Sequence, residues 1–343
     1  MPQPIPVAVV GAGRMGRHHA RIYRELPDAR LIAVVDRRIE RAKELAAKHG
    51  VAALADIDAL PSEVAAVSVA APTSVHVPVA EALLARGVAV LVEKPLAPSV
   101  EEGRRLMEYA RGRGALLAVG HTERFNPAVR ALQRLDIHPR FIETERVSPF
   151  TFRSADISVV ADMMIHDIDI VLHLMARGAG GARPDVARVE AVGVSVLGPH
   201  EDVANAWVAF ANGAVANLTA SRLALKTHRR LRVFSPQAYL SVDYQNKNGI
   251  AVVKDANLDI LRLAAERKAE DLADLAHLDF GKLVKVEPLA VDDVEPLQAE
   301  LESFLHSVRT GDPPAVSAED GVAALELAER VVTAIRSHQW EKP

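Results

Sequence analysis

The most constraining feature of this chain is an apolar run, Val7-Ala8-Val9-Val10, that breaks into Gly11-Ala12-Gly13-Arg14-Met15-Gly16 and continues as an amphipathic stretch. Glycines at that spacing between a strand and a helix permit a tight turn, a close approach of another molecule to the backbone, and tight helix–strand packing. The helix start presents unpaired N–H groups over the turn, which suits a diphosphate. Apolar runs at 5–10, 31–35, 66–70, 88–92 and 116–119 then alternate with helical stretches near 15–26, 38–49, 76–86 and 100–113. That alternation predicts a parallel sheet wrapped by helices.

Asp36 follows Gly16 by 20 residues, at the end of the second apolar run. A carboxylate there can bind the ribose hydroxyls of a dinucleotide, so NAD is the expected cofactor. Arg37 and Arg38 stand beside it and leave NADP open, since a guanidinium can hold a 2′-phosphate.

From about residue 123 the texture changes. One helical stretch, 159–176, is followed by alternating runs at 187–197, 203–210, 214–222, 229–235 and 238–243, the signature of an antiparallel sheet. Further helices are expected near 254–275, 294–309 and 317–337, the last opened by Ser317 and Asp320 in a capping arrangement. The fold class is therefore α/β: an N-terminal dinucleotide-binding Rossmann domain, 1–122, and a C-terminal α+β domain with an open antiparallel sheet, 123–343. A length of 343 residues fits two domains of about 150 each.

Forty-one basic and 45 acidic side chains give a net charge of −4, so no cationic field exists to hold nucleic acid or anionic lipid. The absence of cysteine excludes thiolate chemistry and thiolate metal sites. No leader is visible and no stretch approaches 18 apolar residues, so a cytoplasmic enzyme without membrane contact is expected.

Asp162 and His166 are spaced i, i+4, with Asp169 at i+7, which puts all three near one face of a helix. Flanking carboxylates favour an imidazole acting as general base. A solvated helix face and a zinc site of the same three residues are the alternatives at this point. Trp207 and the pair Met163-Met164 read as core.

Several motifs occur in order along the chain: the glycine fingerprint, Ala71-Pro72-Thr73 with His76, Glu93-Lys94-Pro95, Gly120-His121 with Arg124-Phe125-Asn126-Pro127, then Asp162…His166…Asp169 and Glu295-Pro296-Leu297 with Glu300 and Phe304. This order resembles the glucose–fructose oxidoreductase/inositol dehydrogenase/MocA-like family of NAD(P)-dependent sugar and cyclitol dehydrogenases. The resemblance implies cofactor contacts from Gly11, Ala12, Gly13, Arg14, Met15, Gly16, Asp36, Arg37, Pro72, Thr73, His76, Glu93, Lys94 and Arg124. It implies that Lys94 stabilises a developing alkoxide, that His166 takes the hydroxyl proton, and that Asp162 orients His166 or meets a sugar hydroxyl. His18 and His19 are read as packing near the diphosphate, and His121 as lining the nicotinamide pocket or as structural. Ser158-Val159-Val160-Ala161 stand where family members commonly carry glycines before the catalytic Asp.

Residues 120–127, the stretch from Ser148 to Asp169, and Asn217–Arg222 are similar to the subgroup that oxidises the 3-hydroxyl of UDP-N-acetylglucosamine. The ketone made by that subgroup feeds an aminotransferase and a diamino sugar of lipid A. A nucleotide-sugar diphosphate needs cations, and Arg153, Arg222, Lys226, Arg229 and Arg230 are the candidates, with Arg153 and Arg222 inside the matching stretches. Substrate contacts are thus expected from Lys94, Arg153, Asp162, His166 and Arg222. A dehydrogenase of a free sugar or cyclitol, and a non-catalytic NAD-bound sensor, are the rival readings. The family's sheet face implies a homodimer or homotetramer.

Overall fold

The computed structural model describes residues 3–151, 157–236, 238–254 and 284–340. The chain forms two compact units, and neither is a single stretch of sequence. The first comprises Met1–Asn126, Val160–Ile170 and Val294–Arg336, the second Pro127–Val159, Val171–Asp293 and Ser337–Pro343.

The first unit is built on a six-stranded, all-parallel sheet: β1 (Ile5–Val10), β2 (Ala29–Val35), β3 (Ala52–Leu54), β4 (Ala66–Val69), β5 (Ala89–Glu93) and β6 (Leu117–Gly120). Its order is β3-β2-β1-β4-β5-β6, so the chain reverses direction of growth between β1 and β4. That switch point is where ligands bind in doubly wound sheets. The strand β3 is only three residues long and has no fully buried position, which is why no apolar run announces it.

The crossovers are α1 (Arg14–Glu25), α2 (Ile39–His49), α3 (His76–Ala85) and α4 (Val100–Gly112). Their ends follow local rules. Gly50 closes α2 in the left-handed region at φ +66, and Ser99 Oγ accepts from Glu102 N–H at the start of α4.

The C-terminal helices of the chain, α7 (Pro296–Thr310) and α8 (Ala318–Ser337), complete this unit. Leu297, Leu301, Phe304 and Leu305 of α7 join the core formed by Val7 and Val9 of β1 and Ile22 of α1. Ser317 bridges Ala118 of the edge strand β6. Its hydroxyl accepts from Asp320 N–H while its own N–H donates to Asp320 Oδ2, a reciprocal cap that starts α8 where the sequence placed it.

The second unit holds an eight-stranded sheet of order β14-β13-β12-β11-β7-β10-β9-β8. Its strands are β7 (Phe141–Val147), β8 (Val186–Val194), β9 (Val203–Phe210), β10 (Val215–Ser221), β11 (His228–Phe234), β12 (Ala238–Asp243), β13 (Asn248–Lys254) and β14 (Val284–Pro288). The sheet is mixed rather than antiparallel throughout, because β7 and β10 pair in parallel over seven residues, Phe141–Val147 against Val215–Ser221. Alternation reports which face a residue occupies and not which way its neighbour runs.

The strand β7 escapes a hydropathy reading because its inward positions are Ile142, Thr144 and Arg146. On the inner face of its neighbours lie Ala204, Ala206, Val208, Leu218, Leu231 and Val233. The outer face is half-exposed. It carries Trp207, so that side chain is not core, and a ladder in which Arg232 pairs Glu143 at 2.8 Å.

The short helix α5 (Pro127–Gln133) precedes β7. The helix α6 (Ile165–Gly178) gives its first turns to the first unit and the rest to the second. It is preceded by a wide π-helical turn, Val160–Met164, with Met164 fully buried. The helix expected near 254–275 lies outside the described residues. Among the described residues no helix is long and apolar enough to cross a membrane.

Candidate active site

All of the geometry that follows, the cations considered last excepted, belongs to the first unit. The three fingerprint glycines are required for different reasons. A Cβ on Gly11, at φ +100, would sit 2.4 Å from the Ala70 carbonyl oxygen, and one on Gly16 would lie 1.7 Å from the Gly11 oxygen. Both therefore serve the turn and the helix–strand contact. Gly13 differs, since its φ is −74 and a Cβ there would meet nothing within 4 Å. No packing within the protein demands glycine at that position, and the open backbone at the N-terminus of α1 fits the diphosphate of a dinucleotide.

Asp36 stands at the end of β2 with both carboxylate oxygens oriented. Oδ2 accepts from Ala12 N–H at 2.8 Å and Oδ1 from Arg38 N–H at 2.8 Å. These bonds tie the carboxylate to the glycine turn and leave second lone pairs for ribose hydroxyls. Arg14, Arg37 and Pro72 are exposed, Thr73 is half-buried in a short 3-10 turn, and Met15 packs onto the core.

His76 and Glu93, both expected at the cofactor, make contacts within the protein. His76 is buried, with Nδ1 2.9 Å from the Pro95 carbonyl and Nε2 2.9 Å from the Ala71 carbonyl. The ring thus splints the loop after β4 to the Glu93-Lys94-Pro95 loop. Burial pushes its pKa down, while the two carbonyls favour the cation. Burial dominates, so the neutral ring donates to one carbonyl and merely abuts the other. Glu93 points inward, and its Oε1 accepts from His19 Nε2 at 2.8 Å, with His19 fully buried.

Between these inward-facing groups, Lys94 is left half-buried at the surface of the unit. Its Nζ donates to the backbone carbonyl of Asp162 at 2.7 Å and lies 3.6 Å from Asp162 Oδ1. Asp162 sits on the π-helical turn, and His166 is the second residue of α6 and half-buried. The face-sharing argument assumed α-helical spacing throughout. A π turn holds more residues than an α turn, so it re-aims Asp162 and turns its carbonyl toward Lys94.

Asp169 departs from its expected place beside Asp162 and His166. It is 1 % exposed, and its carboxylate takes Arg124 in a two-pronged pair: Nε donates to Oδ2 at 2.8 Å and the second nitrogen to Oδ1. Arg124 is buried too, with Asp320 3.8 Å away. This pairing engages the Arg124 guanidinium within the protein and sets Asp169 apart from Asp162 and His166. His121 is fully buried and neither ring nitrogen has a hydrogen-bond partner among the described residues. Burial lowers its pKa, with Asp169 opposing.

In the second unit Arg222, expected at the substrate, is likewise engaged within the protein. It is 4 % exposed, and a terminal nitrogen donates to the Ile157 carbonyl at 2.5 Å and the Glu201 carbonyl at 3.3 Å, with Asp202 3.4 Å from Nε. Its guanidinium ties the backbone at Ile157 to that at Glu201. Arg153 lies outside the described residues. Lys226 and Arg229 are exposed and Arg230 half-exposed.

One motif residue, Glu300, has no role of its own in the sequence reading. Glu300 is buried on α7, and the signal was present: Leu297, Glu300, Leu301 and Phe304 share one helical stripe, so a carboxylate stands among apolar side chains.

Known proteins resemble the chain throughout. Residues 5–121 match the oxidoreductase family with an NAD-binding Rossmann fold, and residues 138–241 match the GFO/IDH/MocA C-terminal domain. The UDP-N-acetylglucosamine 3-dehydrogenase of Acidithiobacillus ferrooxidans is 40% identical over 274 residues, covering 75% of this chain and 85% of that one. A solved structure of that dehydrogenase, GnnA, superposes with a TM-score of 0.85 at 34% identity, over 98% of this chain and 99% of the other. The inositol 2-dehydrogenase of Rhizobium meliloti is 25% identical over 95% of this chain and 96% of its own length.

Proposed function

This chain belongs to the GFO/IDH/MocA family of NAD-binding oxidoreductases, and from that premise we propose that it oxidises the 3-hydroxyl of UDP-N-acetylglucosamine to a ketone. The observation that carries a dehydrogenase site is the Lys94 ammonium held 2.7 Å from the Asp162 carbonyl, on the turn that leads into His166. The choice of substrate rests on the likeness to the UDP-N-acetylglucosamine 3-dehydrogenase.

NAD, when bound, accepts the hydride from the sugar carbon. The protein manages the charge and the proton. His166 takes the hydroxyl proton as the C=O bond forms, and Lys94 donates a hydrogen bond to the oxygen where negative charge develops. The Asp162 carbonyl fixes the direction of the ammonium. The Asp162 carboxylate, 3.6 Å from it, balances that charge and is placed to orient His166 or receive a sugar hydroxyl. Asp36, tied to the glycine turn, selects the ribose diol of NAD. Arg153 and Arg222, with Lys226, Arg229 and Arg230, are the cations proposed for the diphosphate. The ketone is then a substrate for a pyridoxal-phosphate aminotransferase of a cytoplasmic diamino-sugar (lipid A) route, and the enzyme works as a homodimer or homotetramer.

A free sugar or cyclitol is the second reading, favoured by the burial of Arg222, since a diphosphate needs accessible cations. Incubating protein with NAD, UDP-N-acetylglucosamine and hydroxylamine, with myo-inositol and glucose alongside, separates the two. An oxime of the nucleotide sugar alone, found by mass spectrometry, supports the first reading. NADH from myo-inositol or glucose, with no trapped nucleotide sugar, replaces it with the second.

A further inference from the structure

Glu300 is 2 % exposed, and its two oxygens have different surroundings. Oε2 accepts from Thr122 Oγ1 at 3.1 Å. Oε1 is buried with no hydrogen-bond partner among the described residues. Glu300 also lines a cavity of about 10 Å³, with Val119, Phe125 and Phe304, which is room for about one water.

The charged and titratable groups facing it are Glu93 from the end of β5, with His19 beyond, Asp169 from α6 and Tyr23 from α1. Among the described residues no lysine or arginine pairs with it. Burial and the two neighbouring carboxylates push its carboxyl well above the usual range.

Thr122 opens the 3-10 turn Thr122–Phe125, which carries Arg124, and Arg124 grips Asp169 on α6, three residues beyond His166. We propose that Glu300 is a positioning residue for this site: it braces Thr122, and through Arg124 and Asp169 it holds the π-helical turn and helix that bear Asp162 and His166. Ionised, Glu300 keeps the bond from Thr122 but sets a third negative carboxylate against Glu93 and Asp169, and that repulsion works against the packing that holds the turn, so the site fails from the alkaline side. This rests on the roles given above to Asp162 and His166.

The test compares the full-length NAD-bound enzyme with Glu300→Gln and Glu300→Leu. Glutamine keeps a neutral acceptor for Thr122, whereas leucine fills the space without one. At neutral pH the wild type is expected to show an infrared band of a protonated carboxylic acid that Glu300→Gln lacks. Glu300→Gln should keep kcat within about threefold and flatten the alkaline fall of kcat, while Glu300→Leu loses about tenfold in kcat at little changed KM. No acid band, a Glu300→Gln as impaired as Glu300→Leu, or an unaltered alkaline limb overturns the proposal. Should Glu300→Leu not fold, the infrared band and the pH profile of Glu300→Gln decide. If the wild type oxidises myo-inositol and not the nucleotide sugar, the substrate assignment falls while the same comparison, run on myo-inositol, still judges Glu300.

Discussion

At the residue scale, the positions legible in the sequence were those whose demands are local. Gly16 is dictated by the Gly11 carbonyl five residues back and Gly11 by its own positive φ as well as by Ala70, and Asp36 stands at the end of a strand. The intraprotein partners of His76, Glu93, Arg124 and Arg222 were not legible, because which distant group meets a polar side chain is set by the fold: Pro95 and Ala71, His19, Asp169, and Ile157 with Asp202. The roles given to Lys94 and His166 make sharp predictions. Lys94→Ala and His166→Ala should each reduce kcat by about 10²- to 10⁴-fold, with NAD affinity retained in a fluorescence titration. Retained turnover in either variant removes that residue from the chemistry. His121 makes a pH prediction whose sign follows from its lowered folded-state pKa. The unfolded chain binds the proton first, so His121's contribution to stability is complete above the ordinary histidine pKa of about 6.5 and is lost as pH falls below it. Melting curves between pH 7 and 5 should show a shallower loss for His121→Gln than for the wild type, and equal slopes would exclude the buried ring as a cause.

At the scale of elements, the parallel sheet and its helices were readable because each element carries its own period. The strand β7 was not, because Thr144 and Arg146 occupy inward positions where a hydropathy reading expects apolar side chains. The π-helical turn before α6 was equally invisible, since nothing in Val160-Ala161-Asp162-Met163-Met164 distinguishes a wide turn from an α-helical one. What secures the start of α6 is a tertiary pair, Arg124 with Asp169, both buried. Removing one partner strands the other charge, so Asp169→Ala should cost about 3–5 kcal/mol of stability in urea unfolding. The double variant Arg124→Met/Asp169→Leu should recover part of that loss, because it leaves no orphaned charge. A single variant as stable as wild type would mean that the pair does not hold the helix.

At the scale of the whole molecule, two sheets of different kind were foreseeable from the change of texture near residue 123. The path of the chain was not. Periodicity assigns α7 and α8 a face to bury and does not say against what, and the contacts place them with the first unit. Leu297, Leu301, Phe304 and Leu305, each no more than 6 % exposed, pack on the core that includes Val7, Val9 and Ile22. Burial of four such side chains is worth roughly 6–12 kcal/mol at about 1.5–3 kcal/mol each, which rivals the whole stability of a typical domain, about 5–15 kcal/mol. The segment 1–126 contains the entire glycine fingerprint and all six strands, yet it exposes that core when expressed alone. It should therefore show no cooperative melting transition and no saturable NAD binding, whereas residues 1–126 co-expressed with 294–343 should regain some of both. A sharp transition and NAD binding by 1–126 alone would show that the nucleotide-binding half is self-sufficient and that the returning helices only decorate it.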